Sequence, residues 1–399
     1  MRILGTKVFP LALFLLASAS LLGQSSVSLL DFEDASQFGK WRPLAGKISQ
    51  NLDARYVSEG KASALFKTPS ATTGEARWPR VELNLSNTAV GQDWSLYDEL
   101  HFDLVNDMGI AGAFHLKITF ADGTAASMYN HLVSVGKHQK VWTLPEAVRE
   151  KKVLRLMLYQ SEPPADFEIY LDNFRLVVNP ALLSGRLATW RKNIELELPF
   201  QEWKKAGMGE QYMQLQQELV NIEYQDADPM QKSARLNALA KKFDALKGEV
   251  YARLCELAVA EFDQAFPGAL WGYGWTHGAR KVHREQLPYE GEIAGKANLC
   301  LARREVESVQ IVLRAKQKVE NVQLRVGELK NLSSGQVFPP EQIETMLVGY
   351  VKTLPTPYRV EPVTWRPDPL LSFMQTFDLD SDVWQPVWID VTATADTPP

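Results

Sequence analysis

The sequence predicts a mainly β protein with a helical insert. Three observations support this class: strand-like alternation of apolar and polar residues over 25–178, helical spacing over 179–266, and a return of strand patterns over 267–399. We interpret the blocks as a β-sandwich, a helical hairpin and a second, incomplete β-sandwich. A chain of 399 residues has room for two or three domains that each bury a core.

Residues 1–24 have the three-part layout of a secretory signal peptide. A basic start with Arg2 and Lys7 precedes an apolar run over 8–16 and the small residues 17–19. The apolar run is shorter than the roughly 20 residues that span a bilayer, so a membrane anchor is the weaker interpretation. We expect cleavage between Ala19 and Gln24 and a secreted or periplasmic protein.

Composition argues against a nucleic-acid partner. The net charge is -5 and the pI is about 5.8, whereas nucleic-acid binders concentrate Lys and Arg on their surface. Cys255 and Cys300 are the only cysteines, so the chain is not a disulfide scaffold. Two isolated buried thiols are the favoured interpretation, and one disulfide between them is the alternative.

The first block shows the alternation typical of a half-buried sheet. Phe114, Leu116, Ile118 and Phe120 fall on one face of a strand pattern, and Asp122-Gly123 supplies a turn after it. The same alternation occurs over 100–104 and 154–159. One face should therefore pack inward while the other is free to bind.

The second block changes to helical periodicity. Two runs with apolar residues three or four apart flank the turn at 226–229, and an earlier helix precedes them and ends near Pro199. We expect the two runs to pair as an antiparallel hairpin that acts as a spacer, with a ligand-binding bundle or self-association through the apolar seam as alternatives. The runs comprise Met208, Tyr212, Leu215, Leu219 and Ile222, then Leu236, Leu239, Phe243, Leu246, Val250, Leu254 and Leu257.

The third block ends on a strand pattern over 384–391 and a turn that reaches Pro399. A final strand without a partner leaves backbone groups unpaired, so we expect an incomplete sandwich and a truncated chain. The block begins with an aromatic cluster, Trp271 to Trp275, which is either a sugar platform or a packed joint with the preceding helices.

Three segments of the first block carry a family resemblance: 30–34, 94–104 and 169–176. In this order and spacing they resemble a carbohydrate-binding module of the jelly-roll, galactose-binding-like type. The resemblance implies a structural calcium held by Glu33 and Asp172, since Ca²⁺ takes several oxygen ligands from segments that folding brings together. The alternative is that these two carboxylates cap strands or pair with Lys and Arg.

The same resemblance implies a polysaccharide or glycan partner. Sugar binding needs aromatic faces for the rings and planar polar groups for the hydroxyls. We expect the polar face of the sandwich to supply both, with Trp78 and Trp142 near its rim. The candidates on that face are Arg80, Glu82, His101, Asp103, Lys117, Tyr129, His131, Arg155 and Tyr159.

Residues 281–284, 302–313 and 385–399 resemble the N-terminal sandwich of proteins similar to glycoside hydrolase family 123, whose type activity releases N-acetylgalactosamine. The resemblance implies a catalytic barrel after this sandwich, with an adjacent Asp-Glu pair that the present residues do not include. We interpret Asp98-Glu99 as a solvated turn and assign no catalytic residue. The expected function is to hold polysaccharide near such a barrel, and the alternative is a binding-only cell-envelope or adhesion protein.

Overall fold

The structure is a computed structural model that describes residues 25–71, 77–88, 90–284, 287–330, 334–353, 365–374 and 376–397, apart from the side chains of 25, 87 and 129–132. The predicted signal peptide lies outside the described residues. The protein is mainly β with a helical insert, as the sequence predicts.

Two antiparallel sheets form the first sandwich. The first sheet has the strand order β3-β4-β11-β6-β9, with β1 also paired to β11, and the second sheet has the order β2-β5-β10-β7-β8. The first sheet comprises β1 (Ser25–Leu30), β3 (Lys47–Asn51), β4 (Ser63–Thr68), β6 (Glu99–Asn106), β9 (Gly136–Thr143) and β11 (Phe167–Val178). The second sheet comprises β2 (Trp41–Leu44), β5 (Arg80–Asn84), β7 (Gly112–Phe120), β8 (Ala125–Val133) and β10 (Val153–Tyr159).

The core of this sandwich follows the predicted alternation. Phe114, Leu116, Ile118 and Phe120 of β7 are all at most 2% exposed. Burying one such side chain stabilises the fold by about 1.5–3 kcal/mol, so a shift of register by one residue would be strongly disfavoured. The residues between them therefore point outward.

Four helices follow: α1 (Pro180–Glu197), α2 (Phe200–Lys205), α3 (Gly209–Gln225) and α4 (Pro229–Ala265). The antiparallel hairpin is confirmed, because Glu218 pairs with Lys242 at 2.8 Å while Lys232 donates to the carbonyl of Glu223 near the turn. Helix α2 was not predicted from the sequence, because its six residues are too few to show a periodic pattern of apolar residues.

The apolar residues that line the seam of the hairpin are buried within the chain. Leu215, Leu219, Ile222, Leu236 and Leu239 are at most 1% exposed. A buried seam offers no surface to a second copy, so the predicted self-association through it loses its physical basis.

Asp98 and Glu99 do not form a solvated turn. Asp98 is 1% exposed and contacts Arg149 at 2.6 Å and Arg186 of α1 at 3.1 Å. Glu99 is 8% exposed and contacts His101 at 2.8 Å. The prediction was wrong because α1 packs over this end of β6, and a carboxylate buried there needs cationic partners.

Contacts divide the chain into two units within the helical region. One unit extends to Ile194 and includes Gln214–Lys242, and the other comprises Glu195–Met213 with Phe243–Pro399. The domain boundaries that the sequence predicts near residues 178 and 266 stay predictions. Across the described ranges, no helix is both long and apolar enough to cross a bilayer.

The second sandwich has a six-stranded sheet in the order β13-β12-β14-β19-β16-β17 and a two-stranded sheet of β15 and β18. Phe377 and Leu379 of the small sheet pack on Leu313, Leu347 and Val387 of the large one. The large sheet comprises β12 (Trp271–His277), β13 (Glu292–Ile293), β14 (Val306–Ala315), β16 (Ile343–Lys352), β17 (Trp365–Leu371) and β19 (Gln385–Thr392). The small sheet comprises β15 (Val319–Val322) and β18 (Phe377–Leu379).

The expectation of an unpaired final strand was wrong. Strand β19 pairs with β14 on one side and with β16 on the other. Both partners come earlier in the chain, so the last strand inserts between them and its backbone groups are bonded on both sides. An unpaired edge at β19 is therefore no longer a reason to expect a truncated chain.

Cys255 and Cys300 are free thiols. The prediction of two buried thiols was wrong for Cys300, which is exposed in a loop before β14. Cys255 is half-buried on α4, where burial raises the pKa of its thiol.

The aromatic cluster of β12 packs against the end of α4. A Cβ atom at Gly272 would lie 2.4 Å from the Phe266 ring, so the missing side chain allows that ring to sit against the strand. Phe262 and Phe266 of this joint pack in one apolar cluster with Trp384 and Tyr289. The packed joint is therefore confirmed for this face of β12.

Candidate functional site

Five of the predicted sugar-binding residues share the outer face of the second sheet: Arg80, Glu82, Lys117, Arg155 and Tyr159. They lie in neighbouring rows across the strands, because Lys117 and Glu82 both pair with Met157 while Tyr159 pairs with Arg80. Two further candidates, Tyr129 and His131, belong to β8 of the same sheet. The side chains of these two lie outside the described residues.

A row of aromatic rings runs along one end of this face. The rings of Trp78 and Tyr159 are 6.3 Å apart, and the ring of His115 stacks on Tyr159 at 4.8 Å. Tyr159 is 7% exposed, whereas Trp78 is 48% exposed. Trp78 therefore supplies the ring surface that a ligand can cover, and Tyr159 supports it from beside.

Glu82 organises the polar part of the face. It is 8% exposed, and its carboxylate contacts Arg80 Nε at 3.1 Å and Arg155 Nη1 at 3.8 Å. A carboxylate this far from water requires cationic or N–H partners. Each guanidinium has five N–H donors, so both arginines keep donors for a ligand after contacting Glu82.

Arg42 and His115 were not among the predicted site residues. Arg42 of β2 is exposed and lies opposite Glu82 in the strand register without an ion pair to it, and His115 lies opposite Tyr159 but is 3% exposed. The alternation in β7 already placed His115 outward. For β2 the alternation of apolar and polar residues was a weaker indication of a strand, because β2 has only four residues and Pro43 interrupts them. A proline in this position confines the strand to a sheet edge. We call Arg42, Arg80, Glu82, Lys117 and Arg155, together with Trp78, the basic face.

His101 and Asp103 do not belong to the basic face. They lie on β6, which pairs with β11 and β9 in the first sheet. His101 is 8% exposed and is engaged by Glu99. Trp142 of β9 is half-buried opposite the core residue Leu100, so it belongs to the first sheet as well.

Glu33 and Asp172 do converge, together with Asp103, on the loop 58–62. Glu33 Oε1 accepts the backbone N–H groups of Lys61 and Ala62 at 2.8 and 3.0 Å. Asp172 Oδ2 accepts the backbone N–H groups of Ser58 and Glu59 at 2.8 and 3.1 Å. We call Glu33, Asp103 and Asp172 with this loop the loop clamp.

A hydroxyl joins the two aspartates of the loop clamp. Asp103 and Asp172 are directly paired across β6 and β11, where two like charges would otherwise repel. Ser58 Oγ lies 2.8 Å from Asp103 Oδ2 and 3.0 Å from Asp172 Oδ2, and Asn173 Nδ2 donates to Asp103 at 3.0 Å. Side-chain and backbone donors thus stabilise the negative charges.

Glu33 and Asp172 line one cavity of about 350 Å³, together with Asp31, Glu59 and Arg175. Ca²⁺ needs oxygen atoms directed at it, whereas Glu33 Oε1 and Asp172 Oδ2 are directed at backbone N–H groups of the loop. Across the residues that the structure describes, no group of three His, Cys, Asp or Glu side chains is close enough together to hold a metal ion. Calcium binding stays a prediction, and it requires both carboxylates to exchange their N–H partners for the cation.

No family model matches this sequence, and no curated protein matches it either. Among solved structures, the chain is similar to an exo-β-agarase, with a TM-score of 0.32 and 15% identity over 39% of this chain and 25% of the agarase. It is also similar to a carbohydrate-binding module from Caldicellulosiruptor saccharolyticus in complex with mannohexaose, with a TM-score of 0.30 and 20% identity over 38% of this chain and 96% of the module.

A third similar structure is a family 11 carbohydrate-binding module from Clostridium thermocellum in complex with a mixed-linked tetrasaccharide, with a TM-score of 0.28 and 12% identity over 38% of this chain and 95% of the module. The matched region spans about a quarter of the agarase. The resemblance to glycoside hydrolase family 123 has no support from these comparisons. Functional assignment therefore depends on the geometry of the two outer faces.

Proposed function

We propose that this protein binds a glycan through the basic face. One observation carries the proposal: an exposed indole, Trp78, adjoins a row of planar and charged side chains on an open sheet. The indole offers an apolar surface to the C–H face of a sugar ring. The guanidinium groups of Arg80 and Arg155 offer N–H donors to oxygen atoms around that ring.

The face is suited to binding rather than to glycoside hydrolysis. Hydrolysis ordinarily uses two carboxyl groups on opposite sides of the scissile bond. On the described part of the basic face, Glu82 is the one carboxylate, and it contacts Arg80 and Arg155. Its role is to hold the two guanidinium groups in place.

We further propose that this region is part of a larger enzyme. Following the sequence resemblance, the region belongs to a secreted or periplasmic glycoside hydrolase and holds polysaccharide near its catalytic barrel. Tethering of this kind raises the local concentration of substrate without contacting the bond that is broken. N-acetylgalactosaminidase-like activity of the parent belongs to the same proposal.

The test is binding of the full chain to a panel of soluble polysaccharides, by affinity electrophoresis and then by calorimetry. We expect Trp78→Ala to weaken binding roughly tenfold, equivalent to about 1.4 kcal/mol. Trp365→Ala is the matched control, because Trp365 is 40% exposed but lies on β17 of the second sandwich. A wild-type chain that binds no polysaccharide, or equal losses in both variants, would reject the proposal.

A further inference from the structure

We infer that the ligand of the basic face is an anionic glycan, one that carries carboxylate or sulfate groups. The inference rests on the proposed function and names the class of its ligand. The first observation is the charge of the face. It carries four cationic side chains, Arg42, Arg80, Lys117 and Arg155, and one carboxylate, Glu82, although the whole chain has a net charge of -5. The sign of this face is therefore opposite to that of the protein.

The positive charges are arranged in a regular pattern. Backbone pairing places Lys117, Met157, Glu82 and Arg42 in one row across four strands. Neighbouring strands are about 4.8 Å apart, so Lys117 and Arg42 lie roughly 14 Å from each other at the two ends of this row. A polymer that crosses the strands meets a cation at both ends of the row.

Two arginines flank the middle of this row. Arg80 and Arg155 lie in the rows on either side of Glu82 and contact its carboxylate, which leaves their other N–H groups available. A guanidinium binds carboxylate and sulfate in a planar, bidentate geometry. Within the described residues, Lys117 and Arg42 have no carboxylate partner, so two more cations are available to the ligand.

Neighbouring side chains do not cancel this charge. The other outward positions described on β5, β7, β8 and β10 are uncharged, and two nearby ion pairs, Arg77 with Glu162 at 2.5 Å and Lys151 with Asp122 at 2.8 Å, are each neutral as pairs. These outward positions include Asn84, Ala113, Thr119, Ser127 and Met157.

The test uses matched polymers that differ in charge: polygalacturonate against its methyl ester, and dextran sulfate against dextran. We expect the full chain to bind at least one anionic polymer at least tenfold tighter than its neutral partner. The pair that shows the difference identifies carboxylate or sulfate as the recognised group. Raising NaCl from about 50 to about 300 mM should weaken this binding several-fold, because exposed charges are screened.

Two variants locate the effect. Lys117→Gln and Arg42→Gln should each lower affinity for the anionic polymer about threefold to tenfold, and the loss for its neutral partner should be smaller. Lys137→Gln is the matched control, since Lys137 is exposed on β9 of the first sheet. Equal losses in the control would show a response to net charge alone and would overturn the inference.

The outcomes separate the two claims. A chain that binds neutral glycans as tightly as anionic ones, with the loss in Trp78→Ala, keeps the proposed function and overturns the anionic ligand. A chain that binds none of the four polymers and no member of the polysaccharide panel overturns both. A single-stranded DNA oligonucleotide that binds tighter than either anionic polymer would overturn the glycan class as well, since stacking and cations also suit phosphate backbones.

Discussion

The two outer faces of the first sandwich use charged groups in opposite ways. In the loop clamp, carboxylates of Glu33 and Asp172 accept N–H groups from the chain itself. On the basic face, one carboxylate contacts Arg80 and Arg155, and N–H donors remain directed at solvent. The two faces therefore differ in the hydrogen-bonding capacity that they leave for a ligand, which is the reason for proposing the ligand site on the basic face rather than where charge is most buried.

The comparison predicts that the loop clamp determines stability and the basic face determines affinity. Asp172 is 2% exposed and accepts hydrogen bonds on both carboxylate oxygens, including one from the N–H of Asn173 at 2.8 Å. Trp78, in contrast, is half exposed at the surface. Substitutions in the two places should therefore affect different measurements.

Asp172→Asn should have the largest effect on stability. The amide removes the charge and presents an NH₂ group to backbone N–H donors, and an unsatisfied buried donor costs about 1–3 kcal/mol. We expect the free energy of unfolding in urea to fall by about 3 kcal/mol, with the affinity of the folded protein for the proposed glycan ligand unchanged.

Glu168→Gln is the control for this prediction, because Glu168 lies on the same strand but forms a partly exposed pair with Lys67. Exposed pairs contribute about 0–1 kcal/mol, so this variant should remain close to wild type. An Asp172→Asn variant as stable as the control would break the contrast between the two faces.

Gly60→Ala should have the next largest effect. Gly60 has φ of +73°, and a Cβ atom there would lie 2.1 Å from Glu33 Oε1, so either the Glu33 carboxylate or the loop would have to shift and the contact between them would weaken. We expect a loss of about 1–3 kcal/mol in urea unfolding, part of it from the left-handed backbone. Gly123→Ala provides the control, since Gly123 has φ of +85° but no atom within 4 Å of the added Cβ. The difference between the two variants measures the contact with Glu33, and equal losses would leave only backbone strain.

Sequence reasoning found which side of each strand faces out but not which sheet each strand joins. Alternation placed Arg80, Lys117 and Tyr159 correctly on an outer face, because that pattern is set within a few residues. It could not separate Asp103 from them, since β6 joins the first sheet through pairing with β11, about seventy residues later in the chain. Pairing over such distances depends on packing of the whole sandwich, which a local pattern does not contain.

A local sequence pattern was also insufficient to predict the partners of the final strand and the state of the two carboxylates expected to bind calcium. Strand β19 gains both partners from segments earlier in the chain, and nothing in residues 385–392 shows where those segments lie. Glu33 and Asp172 were correctly expected to converge, but residue type alone cannot distinguish a carboxylate that binds a cation from one that accepts backbone N–H groups. Only the loop conformation decides between these two states.

Removal of divalent cations should have the smallest effect. Loop 58–62 is held by direct N–H and hydroxyl contacts to Glu33, Asp103 and Asp172. We expect excess EDTA to leave the melting temperature of the full chain unchanged within about 1 °C, because these contacts hold the loop directly and removal of a cation lowers stability only where the native state binds it. A fall of several degrees that Ca²⁺ restores and Mg²⁺ does not would instead assign a calcium ion to Glu33 and Asp172. That result would mean that both carboxylates turn from the loop to the cation, and the two faces would then differ in the ligand that each one binds.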